Sequence, residues 1–154
     1  MALRNLRFNS DEILRKKCRE VTEINDKIRT ILNDMLDTMY ENDGVGLAAP
    51  QIGILRRLVV IDIGDGNVYK MINPKIISSS GAVIDEEGCL SVPRKKGDVI
   101  RPTNVTAVYT DENGKEKTLE GKDILARCIC HELDHLDGIL FIDRAEKTEK
   151  NVKN

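Results

Sequence analysis

The chain has 154 residues, of which 40% are hydrophobic and 32% are charged, and its formal net charge is −2. This length suits one compact domain, and the composition is that of an ordinary globular protein. Since 24 basic and 26 acidic residues are interleaved and aromatic residues make up only 3%, no basic face and few stacking rings are available, which disfavours DNA or RNA as a ligand.

The lack of a targeting segment indicates a reducing compartment, and the compartment determines how the cysteines are interpreted. Residues 1–10 lack the apolar run of a signal peptide, and no later segment is apolar enough to cross a bilayer, so we expect a cytoplasmic protein that does not enter membranes. The four cysteines, at irregular spacing, are therefore predicted to be core thiols, metal ligands or reactive groups rather than disulfides. They are Cys18, Cys89, Cys128 and Cys130.

The first predicted element is an amphipathic helix that begins near Thr22 or Asn25 and ends at residues 42–44. Its apolar positions recur at helical spacing, at Ile28, Ile31, Leu32, Met35, Leu36 and Met39. The next stretch, GVGLAAPQIG (44–53), is small and interrupted by glycine and proline, which excludes a regular helix or a long strand.

Strands are predicted after this stretch. A β-branched run at 56–63 ends in a turn, and further strands are expected at 68–77 and 81–92. Residues 98–111 and 115–121 flank the turn sequence DENG and predict a hairpin. The charge run RKKG (94–97) is interpreted as a solvated loop, with ribosomal RNA as an alternative contact.

The last predicted helix runs from about Lys122 to about Leu136, with Gly138 as its stop signal. Residues 145–154 are expected to form a polar tail that frays. No composition break divides the chain, so residues 1–154 are predicted to form a single domain of antiparallel strands with two principal helices.

The two histidines of the chain, His131 and His135, lie four residues apart in the sequence HELDH. On a helix they share one face, so both rings can bind one metal ion, while Glu132 can reach a water molecule on that ion. The alternative is a helix that carries two hydrogen-bonded or solvated histidines.

A hydrolytic metal site needs a third protein ligand and an open position. Downstream, Phe141 stands where one peptidase pattern has a third histidine, and Glu146 and Glu149 lie in the predicted tail. The best upstream candidate is Cys89, in the bent segment DEEGCLSVP, although a lone cysteine is more often a small core residue. Cys128 is predicted to pack or to line the pocket, and Cys130 to point elsewhere on the helix.

Three motifs in order, GVGLAAPQ (44–51), EGCLS (87–91) and HELDH (131–135), resemble the signature of the peptide deformylase family. The resemblance covers most of the chain, including ILRK (13–16). It implies an α+β fold: a compact single domain of antiparallel strands around a central metal-binding helix, with a long N-terminal helix. It also implies a bacterial-type cytoplasmic hydrolase that removes the formyl group from formyl-methionyl nascent peptides.

The resemblance assigns roles to particular residues. Cys89, His131 and His135 would hold one divalent metal ion, with Fe(II) as the native metal and Zn, Ni or Co able to replace it. Glu132 would act as general base and then as general acid. Gln51, through its side-chain amide, and Leu90, through its backbone N–H, would stabilise the developing oxyanion.

Further residues are assigned to the substrate and to the loop that carries Cys89. Val45, Gly46 and Gly88 would bond to the main chain of an extended substrate, although such glycines are more often required by a turn. Cys128 and Leu125 are candidates for the methionine pocket. An ion pair between Glu87 and Arg101 is expected to hold the EGCLS loop. Arg127 is expected near the pocket mouth or paired outside it.

Two rival functions stay open at this stage. One is a general metallopeptidase, and the other is a metal sensor or storage module with Cys128 as a fourth ligand. The resemblance also implies a monomer and transient ribosome contact, but the chain stops soon after GILFIDR, where some relatives add a longer helix. Cys130 departs from the family pattern, in which many relatives have glutamine.

Overall fold

The computed structural model describes residues 2–153, with side chains as far as Lys147. The three α-helices are α1 (Asp26–Glu41), α2 (Ile124–Leu136) and α3 (Phe141–Lys153). The strands are β1 (Gly46–Ala48), β2 (Leu58–Ile61), β3 (Tyr69–Ser80), β4 (Val83–Cys89), β5 (Val92–Arg101), β6 (Asn104–Thr110) and β7 (Glu116–Lys122). Short 3₁₀ helices occupy Glu12–Arg15 and Ala49–Ile52.

Helix α1 begins one residue after Asn25, whose side chain accepts a hydrogen bond from the Ile28 N–H and so caps the first turn. The apolar face predicted from the sequence is buried along its whole length. The GVGLAAPQIG stretch is, as expected, neither a long strand nor a regular helix: it forms β1 and then the 3₁₀ turn at Ala49–Ile52.

Five strands form an antiparallel sheet in the order β1-β2-β3-β6-β7. Strand β2, which pairs with β1 and β3, is buried on both faces: Leu58 and Val60 contact the α1 cluster, while Val59 and Ile61 contact the α2 cluster. This sandwiching explains why the sequence of β2 is a continuous apolar run and not an alternating one. The predicted hairpin of β6 and β7 is present, with its turn at 111–114.

Strands β4 and β5 form a separate two-stranded sheet. The single strand predicted at 81–92 is wrong in part, because the chain turns at residues 90–91 and starts β5 at Val92. Residues 94–97 belong to β5 and not to a loop, and the strand predicted at 98–111 is divided by Pro102 and Thr103. Proline lacks the N–H that a continuous ladder requires.

Helix α2 starts two residues later than predicted and ends at Leu136, as predicted, two residues before Gly138, whose φ is +75°. A side chain at Gly138 would collide with the backbone carbonyl of Arg15, so the fold requires glycine at this stop.

The tail prediction is corrected in part, because residues 145–153 continue α3, while Asn154 lies outside the described residues. Ala145 and Phe141 are buried against β5, so packing holds the start of this helix in place. Within residues 2–153, no helix is both long and apolar enough to cross a membrane.

Candidate metal centre

The three predicted metal ligands lie together. Cys89 is the last residue of β4, and His131 and His135 lie one turn apart on α2. Their ligand atoms are all within 4.8 Å of one another, and the Cys89 Sγ is 3.4 Å from the His135 Nε2. All four cysteines are free thiols, as the reducing-compartment argument expects.

Glu87 orients the first histidine. Its Oε1 is 2.8 Å from the His131 Nδ1, which leaves the Nε2 of the ring available to a metal ion. The expected ion pair with Arg101 is present and bidentate, with distances of 2.8 and 2.9 Å, and both side chains are nearly inaccessible to solvent. Burial raises the pKa of Glu87, but the Arg101 and His131 hydrogen bonds outweigh it and hold that pKa at about 2.

Arg127 adds a second guanidinium to Glu87. Its Nη1 lies 2.6 Å from the Glu87 Oε2 and donates to the Val99 carbonyl, and its Nη2 donates to the Val83 carbonyl. Arg127 therefore ties α2 to both β4 and β5, and it also borders the cleft described below. Of the two positions expected from the sequence, Arg127 has the one at the cleft, and its ion pair is with the buried Glu87 and not outside the pocket.

Sequence reasoning missed a second anchor beside the metal ligands. Asp134, the fourth residue of HELDH, binds Arg101 at 2.7 Å and Arg144 of α3 at 2.5 and 2.8 Å. The Phe141 ring stacks on the His131 ring with centroids 6.2 Å apart. These contacts join separate segments of the chain, so no local sequence pattern predicts them. The only signal in the sequence is the acidic Asp134 within the HELDH motif.

Glu132 is buried beside the ligands with 4% of its surface exposed. Burial is the main cause that raises its pKa to about 7. Its Oε1 has no hydrogen-bond partner among the described residues, as expected for a carboxylate that serves a water molecule or substrate. A Cβ built on Gly46 would lie 2.5 Å from the Glu132 Oε2, so close approach to Glu132, and not a turn, requires this glycine.

Gln51 is held beside the metal ligands by two neighbours. Its Oε1 accepts the Ala48 N–H at 2.9 Å, and its Nε2 donates to the Ser91 Oγ at 3.1 Å and faces the Cys89 Sγ at 3.6 Å. The side-chain amide of Gln51 is thus pre-oriented toward the centre. Ser91, which the sequence reasoning did not select, completes this arrangement.

A cleft of about 440 Å³ opens onto these groups. Its lining includes four of the five predicted substrate residues, namely Val45, Gly46, Gly88 and Cys128, and it also includes Leu90. The prediction for Leu125 is wrong: this side chain is buried in the core against Gly121 of β7. Ile124 lines the cleft in its place, because a helix turns about 100° per residue and positions 124 and 128 share a face.

The two cysteines of helix α2 lie in different surroundings. Cys128 lies in the cleft with its Sγ 3.9 Å from the Val45 carbonyl, and burial raises its pKa well above the usual value. Cys130 lies on another face of α2, in the core near Arg101 and Asp134, and neither thiol belongs to the ligand cluster of the described residues.

The donor set fits one transition-metal ion. A thiolate and two imidazoles suit several first-row metals, and the Glu87 carboxylate behind His131 is the outer partner that metal-bound histidines usually have.

Comparison with known proteins supports one family. The family model described as polypeptide deformylase matches residues 3–151. A peptide deformylase of Thermoanaerobacter pseudethanolicus is 58% identical over 158 residues, covering 99% of each chain. One of Agathobacter rectalis is 58% identical over 146 residues, covering 95% of this chain and 92% of the relative.

Solved structures agree in fold. The peptide deformylase of Thermotoga maritima has a TM-score of 0.90 at 37% identity and covers 94% of this chain and 98% of its own. That of Ehrlichia chaffeensis, in complex with actinonin, has a TM-score of 0.93 at 35% identity and covers 99% and 94% respectively.

Proposed function

The chain belongs to the polypeptide deformylase family, and from that premise we propose that it removes the N-formyl group from the formyl-methionine of newly made polypeptides and releases formate. One observation carries the proposal: Cys89 and His131 of the ligand cluster line the same cleft as Glu132, a buried carboxylate whose Oε1 has no hydrogen-bond partner in the described part of the chain.

Cys89, His131 and His135 would hold one divalent metal ion, with Fe(II) as the native metal and Zn, Ni or Co as substitutes. When bound, such an ion lowers the pKa of water toward neutrality and polarises the formyl carbonyl.

Glu132 supplies the proton transfers. A pKa of about 7 lets its carboxylate accept a proton from the attacking water and then donate that proton to the departing amine at neutral pH. Water adds to the formyl carbon, the carbon–nitrogen bond breaks, and the products are formate and a free amino terminus. The same group thus serves both halves of the reaction.

Gln51 and Leu90 stabilise the oxyanion. The Gln51 amide is already fixed beside the centre by Ala48 and Ser91, so little reorganisation precedes the reaction. Leu90 follows Cys89 directly and lines the cleft, which puts its backbone N–H next to the metal ligand in the chain.

The substrate lies as an extended strand along the cleft. Main-chain groups of Val45, Gly46 and Gly88 bond to it, and the methionine side chain lies against Cys128. A cytoplasmic location, a monomeric state and transient ribosome contact stay predictions.

The metal-sensor alternative would need a closed four-ligand site. The ligand cluster of the described residues contains three residues and not Cys128, which favours a catalytic site with an open position.

Formate release from a formyl-Met tripeptide by anaerobically purified protein tests the proposal. We expect Glu132→Gln to lower kcat about 10²- to 10⁴-fold, because the proton acceptor is lost, while metal content is retained. Glu116→Gln, which removes an exposed carboxylate at the start of β7, is the matched control.

The outcomes separate the alternatives. No formate from fully metallated wild type would overturn the function, and full activity in Glu132→Gln would overturn the role of Glu132. Cleavage of an unformylated peptide at an internal bond would instead support a metallopeptidase.

A further inference from the structure

Strand β5 has a wide bulge opposite Gly88. Glu87 pairs with Gly97 and Cys89 pairs with Val92, so two residue steps on β4 correspond to five on β5. Residues 93–96, which are four residues opposite the single residue Gly88, are called the basic bulge below. Arg94 within it has a φ of +65°, a left-handed conformation that side chains other than glycine seldom adopt. Bulges of this kind redirect side chains and are frequent beside active sites.

The basic bulge borders the active-site cleft with three consecutive cations, Arg94, Lys95 and Lys96, all of which are exposed. Lys96 lies 3.7 Å from the Glu86 carboxylate. In the described part of the chain, neither Arg94 nor Lys95 forms an ion pair with a carboxylate.

The acidic groups deeper in the cleft do not neutralise these cations. Glu87 is buried and bound by Arg101, Arg127 and His131, and Glu132 is buried beside the metal ligands. Two positive charges at the cleft edge therefore have no internal partner among the groups described.

On the basis of the proposed function, we propose that the basic bulge is a specificity element that favours substrates with acidic side chains in the residues after formyl-methionine. The Lys95 carbonyl and the Lys96 side chain both lie 3.7 Å from where a Cβ on Gly88 would stand. A substrate strand bonded to Gly88 therefore runs alongside the bulge, within reach of long arginine and lysine side chains. Carboxylates of the substrate are attracted and ammonium groups are repelled.

A panel of C-terminally amidated peptides tests the proposal with the metallated protein. The first set is formyl-Met-Ala-Glu, formyl-Met-Ala-Gln and formyl-Met-Ala-Lys. In the second set, Glu, Gln or Lys follows methionine directly. We expect kcat/KM for glutamate to exceed that for glutamine about two- to fivefold at low salt, as for an exposed ion pair, and to fall with added salt. Lysine should be disfavoured to a similar extent.

Two double variants of the basic bulge test whether Arg94 and Lys95 cause the preference for acidic peptides. Arg94→Gln/Lys95→Gln should bring the ratio of kcat/KM for the glutamate and glutamine peptides (the Glu/Gln ratio) close to one. Arg94→Glu/Lys95→Glu should reverse the preference, so that the lysine peptides react faster than the glutamate peptides. Lys27→Gln/Lys115→Gln, which removes two exposed lysines on α1 and the β6–β7 turn, should retain the wild-type ratio.

A Glu/Gln ratio of one in the wild type, or an unchanged ratio in the neutralised variant, would overturn the proposal and leave the bulge as a solvated or RNA-facing segment. If the glutamine peptides release no formate, the proposed function itself is wrong. Because the glutamine peptides report on the reaction alone, failure of the specificity proposal and failure of the function are distinguishable.

Discussion

Single residues in this site have close contacts with two or three neighbours, so one substitution disturbs several contacts. Gly46 leaves room for the Glu132 carboxylate and the Cys128 thiol, which lie 2.5 and 2.8 Å from the position that a Cβ would take. Glu87 accepts hydrogen bonds from Arg101 and Arg127 and orients His131. These contacts couple the position of the catalytic groups to the packing of the fold.

Gly46→Ala should destabilise the protein by roughly 1–3 kcal/mol, because the added methyl group overpacks a site where Glu132 and Cys128 must shift. Urea unfolding measures this cost. The control is Gly88→Ala, whose methyl group would meet its nearest neighbours at an ordinary 3.7 Å and which should change stability by no more than about 0.5 kcal/mol. Equal unfolding midpoints for the two variants would contradict the steric argument.

Glu87→Gln should weaken metal binding about 10- to 100-fold, the usual effect of losing the outer partner of a ligating histidine. Competition with a chelating dye measures the affinity. Glu86→Gln changes the adjacent residue, which is exposed and forms an ion pair with Lys96, and should bind metal like the wild type. If both variants retain wild-type affinity, Glu87 does not orient His131 for the metal.

At the scale of elements, helix α2 joins the two parts of the fold. One face, with Ile124, Cys128 and His131, lies on the cleft, while Leu125 and Ile129 pack on the five-stranded sheet. Helix α3 packs against another side of α2: Phe141 stacks on His131, and the Arg144 guanidinium binds Asp134. The metal ligands therefore depend on an element outside the three motifs.

Phe141→Ala should destabilise the protein by about 3–5 kcal/mol, because a ring with only 2% of its surface exposed is removed from a core of β5 and α3 residues. Phe141→Leu, which keeps most of the volume, should cost less. Chemical unfolding provides the comparison, with the exposed Lys147→Gln on the same helix as the control. A Phe141→Ala protein as stable as the control would show that α3 does not anchor the site.

At the scale of the molecule, the metal ligands come from two separate parts of the fold, a strand and a helix. Cys89 ends a strand of the two-stranded sheet, and the histidines lie on the helix that packs on the five-stranded sheet. A metal ion bound by all three would link these parts and bind the folded state in preference to the unfolded one.

Removal of metal by a chelator should lower Tm by about 5–10 °C at metal concentrations near 100 times Kd, and Zn or Co should restore it. Cys89→Ala should lose this response, because one of the three ligands is absent. Cys130→Ala, which changes a buried thiol outside the ligand cluster, should retain it even if its own Tm differs. Thermal unfolding with and without metal measures this change in Tm. If metal raises the Tm of Cys89→Ala as much as that of the wild type, Cys89 is not a ligand.

The sequence by itself determined the features that depend on short-range periodicity. Helical spacing predicts α1 and the shared face of His131 and His135, and the apolar run predicts β2. The absence of a suitable downstream ligand directs attention to Cys89, which lies with the two histidines in the structure.

Tertiary structure decided the features that depend on contacts between distant segments. The polar and apolar residues at 93–96 do not follow the pattern of a strand or of a turn. The conformation of this segment follows from how β5 pairs with β4 on either side of Gly88. Residues 145–153 look like a polar tail, but burial of Phe141 and Ala145 fixes the start of a helix there. Leu125 and Ile124 are equally apolar, and only the packing of α2 on the sheet decides which one faces the cleft. A local pattern cannot contain these contacts, because the free energy that selects each conformation comes from partners far away in the chain.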